Sequence, residues 1–448
     1  MRDITQGLRS VLFAPNSSEL VMEMLSPLQP YDLAQLLLEL EPREQVQFIE
    51  VLPLEAAVEV LEYLDPEVQY RLLHHADEQR AKDLLQILPS DTTVDLLLAI
   101  HPNQAAVLRG WLPEEYGKLI DNLMTFPENT AGSLATVDYV AARSHWTVEQ
   151  TMAHIRKIGG RVELITYVYV LNPRGQLVDV ISIKEMILAS PETKLSELVA
   201  KTPISVRADS DQEEAARLLS QYDFLAIPVV DADNRLVGII SVDDLVDVIH
   251  DEATEDIQKL GGSEPLPEAY LKTPVRTIFR KRVWWLLLLF LAQGITGSIM
   301  QKYADILAQV IALSFFIPLL IDAGGNAGSQ TVATLVRALA LGEITVEDRW
   351  KALRKEVTTG LLLGAVIGTA AFVRTKLMGI SGNLSYVVSL SAFFIVTWAS
   401  TVAALLPMLL HKLKVDPAIV SGPVITTLVD AIGIFGYFTI ARLLLGIG

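Results

Sequence analysis

The 448-residue chain is predicted to be a multidomain protein with three parts: an α-helical superhelix, an α/β region and a bundle of five transmembrane helices. Its charge is divided unequally. Residues 1–275 contain 21 basic and 45 acidic residues, whereas the chain from Arg276 onward contains 15 basic and 8 acidic ones. The first part also contains an internal repeat, and the second contains five long apolar stretches. The acidic surface expected for residues 1–275 repels nucleic acid and attracts cations, which argues against a nucleic-acid partner.

The chain contains no cysteine, which excludes disulfides and Cys-ligated zinc or iron–sulfur sites. Its N-terminus, MRDITQGLRSVLF, lacks the long apolar core of a signal peptide. We therefore expect the acidic part to stay in the cytoplasm.

Residues 1–130 are predicted to form short stacked helices. Phrases such as "YDLAQLLLEL", "AAVEVLEYL" and "QRAKDLLQIL" place apolar residues at helical spacing, and Pro or Asp separates them. Imperfectly repeated helical units of this kind usually stack into a superhelix.

Residues 131–250 contain a duplication. "VYVLNPRGQLVDVISIKEMI" at 168–187 matches "IPVVDADNRLVGIISVDDLV" at 227–246 with a constant offset of 59 residues. Each copy reads as strand, polar turn, strand and helix start, and an amphipathic helix precedes each.

This duplication resembles a tandem pair of CBS domains, regulatory modules that often bind adenosine nucleotides or ions. The family's ribose- and phosphate-binding element is met in the second copy by Gly238, Ser241 and Asp244, whereas the first copy has Asp179 and Glu185 in place of the Gly and the Asp. The resemblance leaves open whether ATP or another adenine nucleotide binds. Further nucleotide candidates are Tyr167 and Phe224.

Residues 251–275 are predicted to be a connector, or plug, helix that breaks at glycines and prolines, and residues 276–448 a transmembrane domain. Its five spans are predicted at 283–300, 306–330, 357–374, 386–410 and 417–441. With the N-terminus inside, the inner segments hold eleven basic residues and the outer segments four. This distribution predicts a multi-pass protein of the inner or plasma membrane, with a cytoplasmic N-terminus and the C-terminus outside.

Two acids, Asp322 and Asp430, lie deep in these spans, where an uncompensated charge costs several kcal/mol. Asp322 belongs to "PLLIDAGGNAGSQTVATL" (318–335), in which Pro318 and three glycines predict a broken helix or a very tightly packed one, with Asn326 among its polar groups. Asp430 belongs to "GPVITTLVDAIGIFGYF" (422–438).

These two stretches, together with the helical region and the CBS-like pair, resemble the MgtE family of magnesium channels over essentially the whole chain. The resemblance implies a homodimer in the lipid bilayer with Asp430 as the pore ligand of Mg²⁺. Mg²⁺ loses water reluctantly, so few carboxylates suit a hydrated ion, and two Asp430 side chains at a two-fold axis would balance its charge. The family commonly has Asn where this chain has Gly422, and Thr426 could add a hydroxyl one turn from Asp430.

The resemblance also implies regulatory Mg²⁺ sites on cytosolic acids, some of which we expect to be merely solvated. They are Glu59, Asp91, Asp95, Asp211, Glu213, Asp223, Asp244, Asp247, Glu252, Glu255, Asp256 and Asp416. The expected function is Mg²⁺ uptake for magnesium homeostasis, with closure by internal Mg²⁺, and not an enzymatic one. The alternatives are a CBS-regulated carrier of another divalent cation and an intramembrane hydrolase that uses Asp322 and Asp430 as an acid/base pair.

Overall fold

The computed structural model describes residues 2–14, 17–25, 27–159, 162, 164–198, 202–267, 269–380, 382–413 and 415–447. Lys414, one of the basic residues counted on the inner side, lies outside these ranges. The chain divides into two compact units, Met1–Ile249 and His250–Gly448. Each is described by itself.

The first unit begins with short helices. They are α1 (Arg2–Val11), α2 (Ser17–Leu25), α3 (Pro30–Leu38), α4 (Pro42–Val51), α5 (Leu54–Glu62), α6 (Pro66–His75), α7 (Glu78–Ile87), α8 (Ser90–Ala99), α9 (Pro102–Arg109) and α10 (Glu114–Leu123). Several start with Pro in the first turn, where a missing N–H costs nothing. From α3 to α8, each helix packs against the second one along the chain, as in a superhelical stack.

Two small three-stranded sheets follow. Their strands are β1 (Val140–Arg143), β2 (Tyr167–Leu171), β3 (Leu177–Ser182), β4 (Val206–Arg207), β5 (Ala226–Val230) and β6 (Leu236–Ser241). The helices around them are α11 (Val148–Ile158), α12 (Ile183–Leu188), α13 (Leu195–Leu198) and α14 (Gln212–Tyr222), with α15 (Val242–Leu260) leading into the second unit. In each sheet the first two strands are parallel and the last two form an antiparallel hairpin.

The predicted duplication is confirmed in the two hairpins, because β2 and β3 recur 59 residues later as β5 and β6. Their turns correspond as well: Gly175 and Asn234 both adopt a left-handed conformation. The two turns also bond to each other, since Leu177 N–H donates to the Asn234 carbonyl and Leu236 N–H to that of Gly175, each at 2.9–3.1 Å. The copies therefore form one paired module.

Five helical segments of the second unit are long and apolar enough to cross a membrane. The helices are α16 (Val275–Lys302), α17 (Ala304–Gln309), α18 (Ile317–Ala340), α19 (Arg349–Leu377), α20 (Asn383–Lys412) and α21 (Gly422–Leu445), with 3₁₀ turns at Ile311–Phe316, Val346–Asp348 and Pro417–Ile419. Helix α20 packs against α18, α19 and α21, and α21 also packs against α16.

The second predicted span needs a correction. The helix is interrupted at Val310, passes through a 3₁₀ turn and becomes α-helical only at Ile317, where Pro318 occupies the first turn. It then continues to Ala340, well beyond the predicted end at residue 330. Rigid proline fits the first turn of a helix, which explains why it starts the helix and does not break it.

The three glycines of α18 do not break it either. A Cβ at Gly324 would lie 2.5 Å from Ile395 Cγ2 of α20, and one at Gly328 would lie 2.6 Å from Ile425 Cγ2 of α21. Of the two predicted alternatives, tight packing is therefore correct and the broken helix is wrong. Small residues let membrane helices approach one another closely. Such close packing stabilises helix contacts in a bilayer, where the hydrophobic effect does not drive helices together.

Candidate metal sites

Asp430 lies in the third turn of α21 and is only 8% exposed. The side-chain amide of Gln293, on α16, donates to Asp430 Oδ2 at 3.2 Å. Asp430 Oδ1 is buried and has no hydrogen-bond partner among the described residues. A buried carboxylate with one free oxygen and no cationic partner in the described structure is poorly compensated by the protein alone, so this geometry suits a cation ligand.

The sequence did not point to Gln293 as a partner of Asp430. The two side chains are 137 residues apart, and the packing of α16 against α21 brings them together. The available signal was a single Gln inside the apolar run "LLLLFLAQGITG" (286–297).

The other residues predicted at this helix have local contacts. The Thr426 hydroxyl donates to the Pro423 carbonyl at 2.9 Å, which leaves its oxygen lone pairs as acceptors. Gly422 opens the helix, and a Cβ there would lie 3.3 Å from Ser329 Oγ of α18. A larger side chain at Gly422 would therefore meet α18 closely.

Asp322 has a different environment from Asp430. Its Oδ2 accepts from Asn326 Nδ2 at 3.1 Å, one turn along the same helix. Both side chains line a cavity of about 740 Å³ between α18, α19 and α20, together with Gln330 and Arg374. Asp430 is not among the lining residues of this cavity, so the structure does not bring the two acids together there as an acid/base pair.

The end of α15 carries an ion-pair network. Lys259 Nζ lies 2.6 Å from Asp416 Oδ2 and also pairs with Glu255, one turn earlier. Asp256 lies close to the same group, and burial together with the Asp416 charge raises its pKa to about 6. Asp416 in turn caps the 3₁₀ turn before α21 by accepting from Ala418 N–H at 2.8 Å.

The connector also meets the start of α21. The site of a Cβ on Gly422 is 3.8 Å from the Leu260 carbonyl oxygen, and Gly262 approaches Trp285 and Pro423. Gly262 has a left-handed backbone with φ of 73°, which a glycine adopts without strain. Glycine at this position thus allows the chain to turn tightly beside the beginning of α21.

In the first unit, acids of α5 and α15 come together. The pKa of Glu62 is raised to about 7 by desolvation and by the carboxylates of predicted Glu59 and of Asp243, although part of the Glu62 side chain is exposed. Nearby in sequence, Asp244 accepts from Ser241 Oγ at 2.5 Å, and burial raises its pKa to about 6. Glu62 and Asp243 were not predicted, because nothing in the linear order links these two helices.

The remaining predicted acids are spread along the chain, and Glu252 already belongs to the second unit. Asp95 lies on α8, and desolvation raises its pKa. Asp211 caps α14 by accepting from Glu213 N–H at 2.9 Å, and Asp223 ends the same helix in a left-handed conformation. Asp91 is half-buried on α8, Glu252 half-buried on α15, and Asp247 and Glu213 are exposed. In the part of the chain that the structure describes, no three or more His, Cys, Asp or Glu side chains are grouped to hold a metal ion.

The nucleotide candidates have partners within the chain. A Cβ at Gly238 would lie 2.6 Å from the Thr136 carbonyl oxygen, so close strand packing already accounts for this glycine. Leu225 N–H donates to the Tyr167 hydroxyl at 3.4 Å, and Phe224 stacks on Tyr222 with ring centroids 5.5 Å apart. Nucleotide binding here stays a prediction.

Family models match three parts of the chain. Residues 28–129 match the MgtE intracellular N domain, 195–251 the CBS domain, and 317–440 the divalent cation transporter domain of MgtE. These matches fall on the stacked helices, the second CBS copy and the membrane helices.

Relatives that match most of the chain are also magnesium transporters. The chain is 39% identical to the magnesium transporter MgtE of Thermus thermophilus over 360 residues, 79% of each protein. It is 34% identical to the MgtE of Bacillus subtilis over 418 residues, 93% of this chain and 92% of that protein. A crystal structure of the soluble part of a magnesium transporter, 29% identical, matches with a TM-score of 0.52 and covers 56% of this chain and 99% of that one. This chain therefore belongs to the MgtE family of magnesium transporters.

Proposed function

We propose that this magnesium transporter is a homodimeric channel in which Asp430 of each copy binds Mg²⁺ in the pore, and in which internal Mg²⁺ closes that pore. Mg²⁺ transport itself follows from the family, and the relatives favour neither another ion nor hydrolysis. The family is one of transporters, which is not an enzyme class.

The observation that supports the pore assignment is the unbalanced carboxylate of Asp430, buried on α21 with one oxygen lacking a hydrogen bond in the described chain. One carboxylate balances half the charge of Mg²⁺. A second copy related by a two-fold axis supplies the other half, and hydrated Mg²⁺ needs no dense cage of protein ligands. Each ion that passes then offsets the cost of burying the two acids.

Closure is proposed to act at the connector. Glu255 and Asp256 of the connector and Asp416, which precedes α21, lie near Lys259, and Leu260 and Gly262 of the connector lie against the start of α21. When Mg²⁺ binds such acids, their mutual repulsion falls and the connector is held against α21. Mg²⁺ shifts the balance only if it binds the closed state more tightly than the open one. A cytoplasmic N-terminus, as the basic residues predict, exposes these acids to internal Mg²⁺.

Recording from the full-length protein in a planar bilayer tests both parts. A channel gives unitary currents carried by Mg²⁺, and their open probability falls as Mg²⁺ on the cytoplasmic side rises into the millimolar range. Saturable flux without unitary currents would contradict a channel. Currents indifferent to Mg²⁺ on that side would contradict the closing mechanism and leave the pore assignment standing.

A further inference from the structure

We infer that Gln293 of α16 is a positioning residue for Asp430, fixing the carboxylate so that Oδ1 faces the transported cation. This inference rests on the proposed function, because it concerns how the pore acid is held. Its starting point is the 3.2 Å hydrogen bond from Gln293 Nε2 to Asp430 Oδ2, which joins the first and last membrane helices.

This hydrogen bond gives the two carboxylate oxygens of Asp430 different environments. Oδ2 receives a neutral donor, whereas Oδ1 is buried without a partner in the described chain. A hydrogen bond to an ionised group favours the charged form and restricts side-chain rotation. An amide serves this purpose better than Lys or Arg, because a full positive charge would neutralise the acid that attracts the cation.

The helix around Gln293 is otherwise largely apolar. Its neighbours Leu291 and Ile295 are apolar and exposed, as expected on a lipid-facing helix. Thr296, three residues later and therefore on the same face, is buried, and its hydroxyl has no hydrogen-bond partner within the described part of the chain. Two polar groups thus lie on one face of an apolar helix that packs against α21. Polar groups at this depth are costly unless they serve packing or a site.

Gln293 itself is exposed beside Asp430 in the single chain. Its amide oxygen is an acceptor, and a hydrated divalent cation carries polarised water molecules that donate to such oxygens. Gln293 therefore fits a second task, which is to hold the water shell of the ion that Asp430 attracts.

The first test replaces the amide by an apolar side chain of similar size. In full-length protein reconstituted into liposomes, Q293L should raise the Mg²⁺ concentration that gives half-maximal flux by about tenfold, since hydrogen bonds to charged groups contribute on that scale. Q301L is the matched control: it makes the same change on the same helix at an exposed position and should stay within about twofold. Equal values for Q293L and Q301L would overturn the inference.

The second test separates positioning from a structural role, even where Q293L folds poorly. D430E lengthens the acid by one carbon, and Q293N shortens the amide by one. D430E alone should lower Mg²⁺ flux, and the D430E/Q293N double variant should recover about threefold of it, a coupling expected only for side chains in contact. A double variant no better than D430E would overturn the inference, and so would equal recovery in D430E/Q293L, because leucine has the shape of asparagine but no amide to donate a hydrogen bond.

The Mg²⁺ flux of D430N in the same assay distinguishes a failure of the proposed pore ligand from a failure of the role proposed for Gln293. If D430N conducts normally, the proposed pore ligand is wrong and the positioning of Asp430 falls with it. If D430N is inactive while Q293L matches Q301L and the double variant shows no recovery, the pore ligand stands and only the role of Gln293 is wrong.

Discussion

The acid in the membrane unit and the acids of the first unit are held in opposite ways. Asp430 is a buried carboxylate that receives one neutral hydrogen bond, and none of its described hydrogen bonds or ion pairs involves a charged side chain. Glu62, by contrast, lies beside the carboxylates of Glu59 and Asp243, and Asp244 lies near Asp243 and Asp247. An isolated buried acid favours one passing cation, whereas crowded acids repel one another until cations bind. This difference supports the proposed division between a conducting and a sensing region.

The largest expected effect tests the isolated acid. D430A should reduce Mg²⁺ flux to the level of protein-free liposomes, because it removes the charge that balances the ion. D322N is the control, since Asp322 also lies within a membrane helix but bonds to Asn326 beside a separate cavity. It should keep flux within about twofold of the unmodified protein. Loss of flux in D322N with normal flux in D430A would reverse the assignment of the two acids.

The second effect tests the crowded acids. In the D244N/D247N/E255Q/D256N variant, protease cleavage within 251–275 should no longer depend on Mg²⁺. In the unmodified protein Mg²⁺ should slow this cleavage with a midpoint in the millimolar range, as weak carboxylate sites do. The matched control, E149Q/E192Q/E197Q/E214Q, removes the same charge from exposed acids and should keep the protection. If Mg²⁺ still protects the first variant from cleavage, its four acids are solvated surface residues that do not sense Mg²⁺.

A smaller effect concerns pH. The pKa values of Glu62, Asp244 and Asp256 are raised to about 7, 6 and 6, so ionising them costs more in the folded protein than in the unfolded one. Their contribution to stability is therefore present at low pH and lost as pH rises through 6 to 7. Without Mg²⁺, the melting temperature should fall by about 2–4 °C between pH 5.5 and 7.5.

Differential scanning fluorimetry in detergent measures this effect. Added Mg²⁺ should restore the melting temperature at pH 7.5 and change it little at pH 5.5, where the acids are partly protonated. E62Q should flatten the pH dependence. A melting temperature that rises with pH would show that these carboxylates are stabilised, not strained, in the folded chain.

The smallest expected effect concerns Lys259, which forms ion pairs with Glu255 and Asp416 and so links the connector to the segment before α21. K259M should raise the Mg²⁺ concentration that halves the open probability, because it removes ion pairs that hold the connector. The rise should be about threefold, since such partly exposed ion pairs are individually weak. K118M removes a comparable i,i+4 pair with Glu114 on the surface and should leave closure unchanged. Half-closure at a lower Mg²⁺ concentration in K259M would show that Lys259 competes with Mg²⁺ and does not assist it.

Local patterns in the sequence predicted much of this fold. The 59-residue offset recurs in both hairpins and in their left-handed turn residues, Gly175 and Asn234. The five membrane helices and the stacked short helices follow from apolar runs and helical spacing. The helices are readable because helical spacing relates residues within one or two turns of one another, and the duplication is readable because the same local pattern occurs twice.

The tertiary structure decided what lies across helices. It placed Gln293 against Asp430 from 137 residues away, brought the charge of Asp243 near Glu62, and packed the glycines of a continuous α18 closely against α20 and α21. It also accounted for Gly238 by the approach of Thr136, without a nucleotide. A sequence shows that a glycine, an amide or an acid is present. Which neighbour it meets depends on the packing of helices and strands that are distant along the chain, and that neighbour determines the energy of each group.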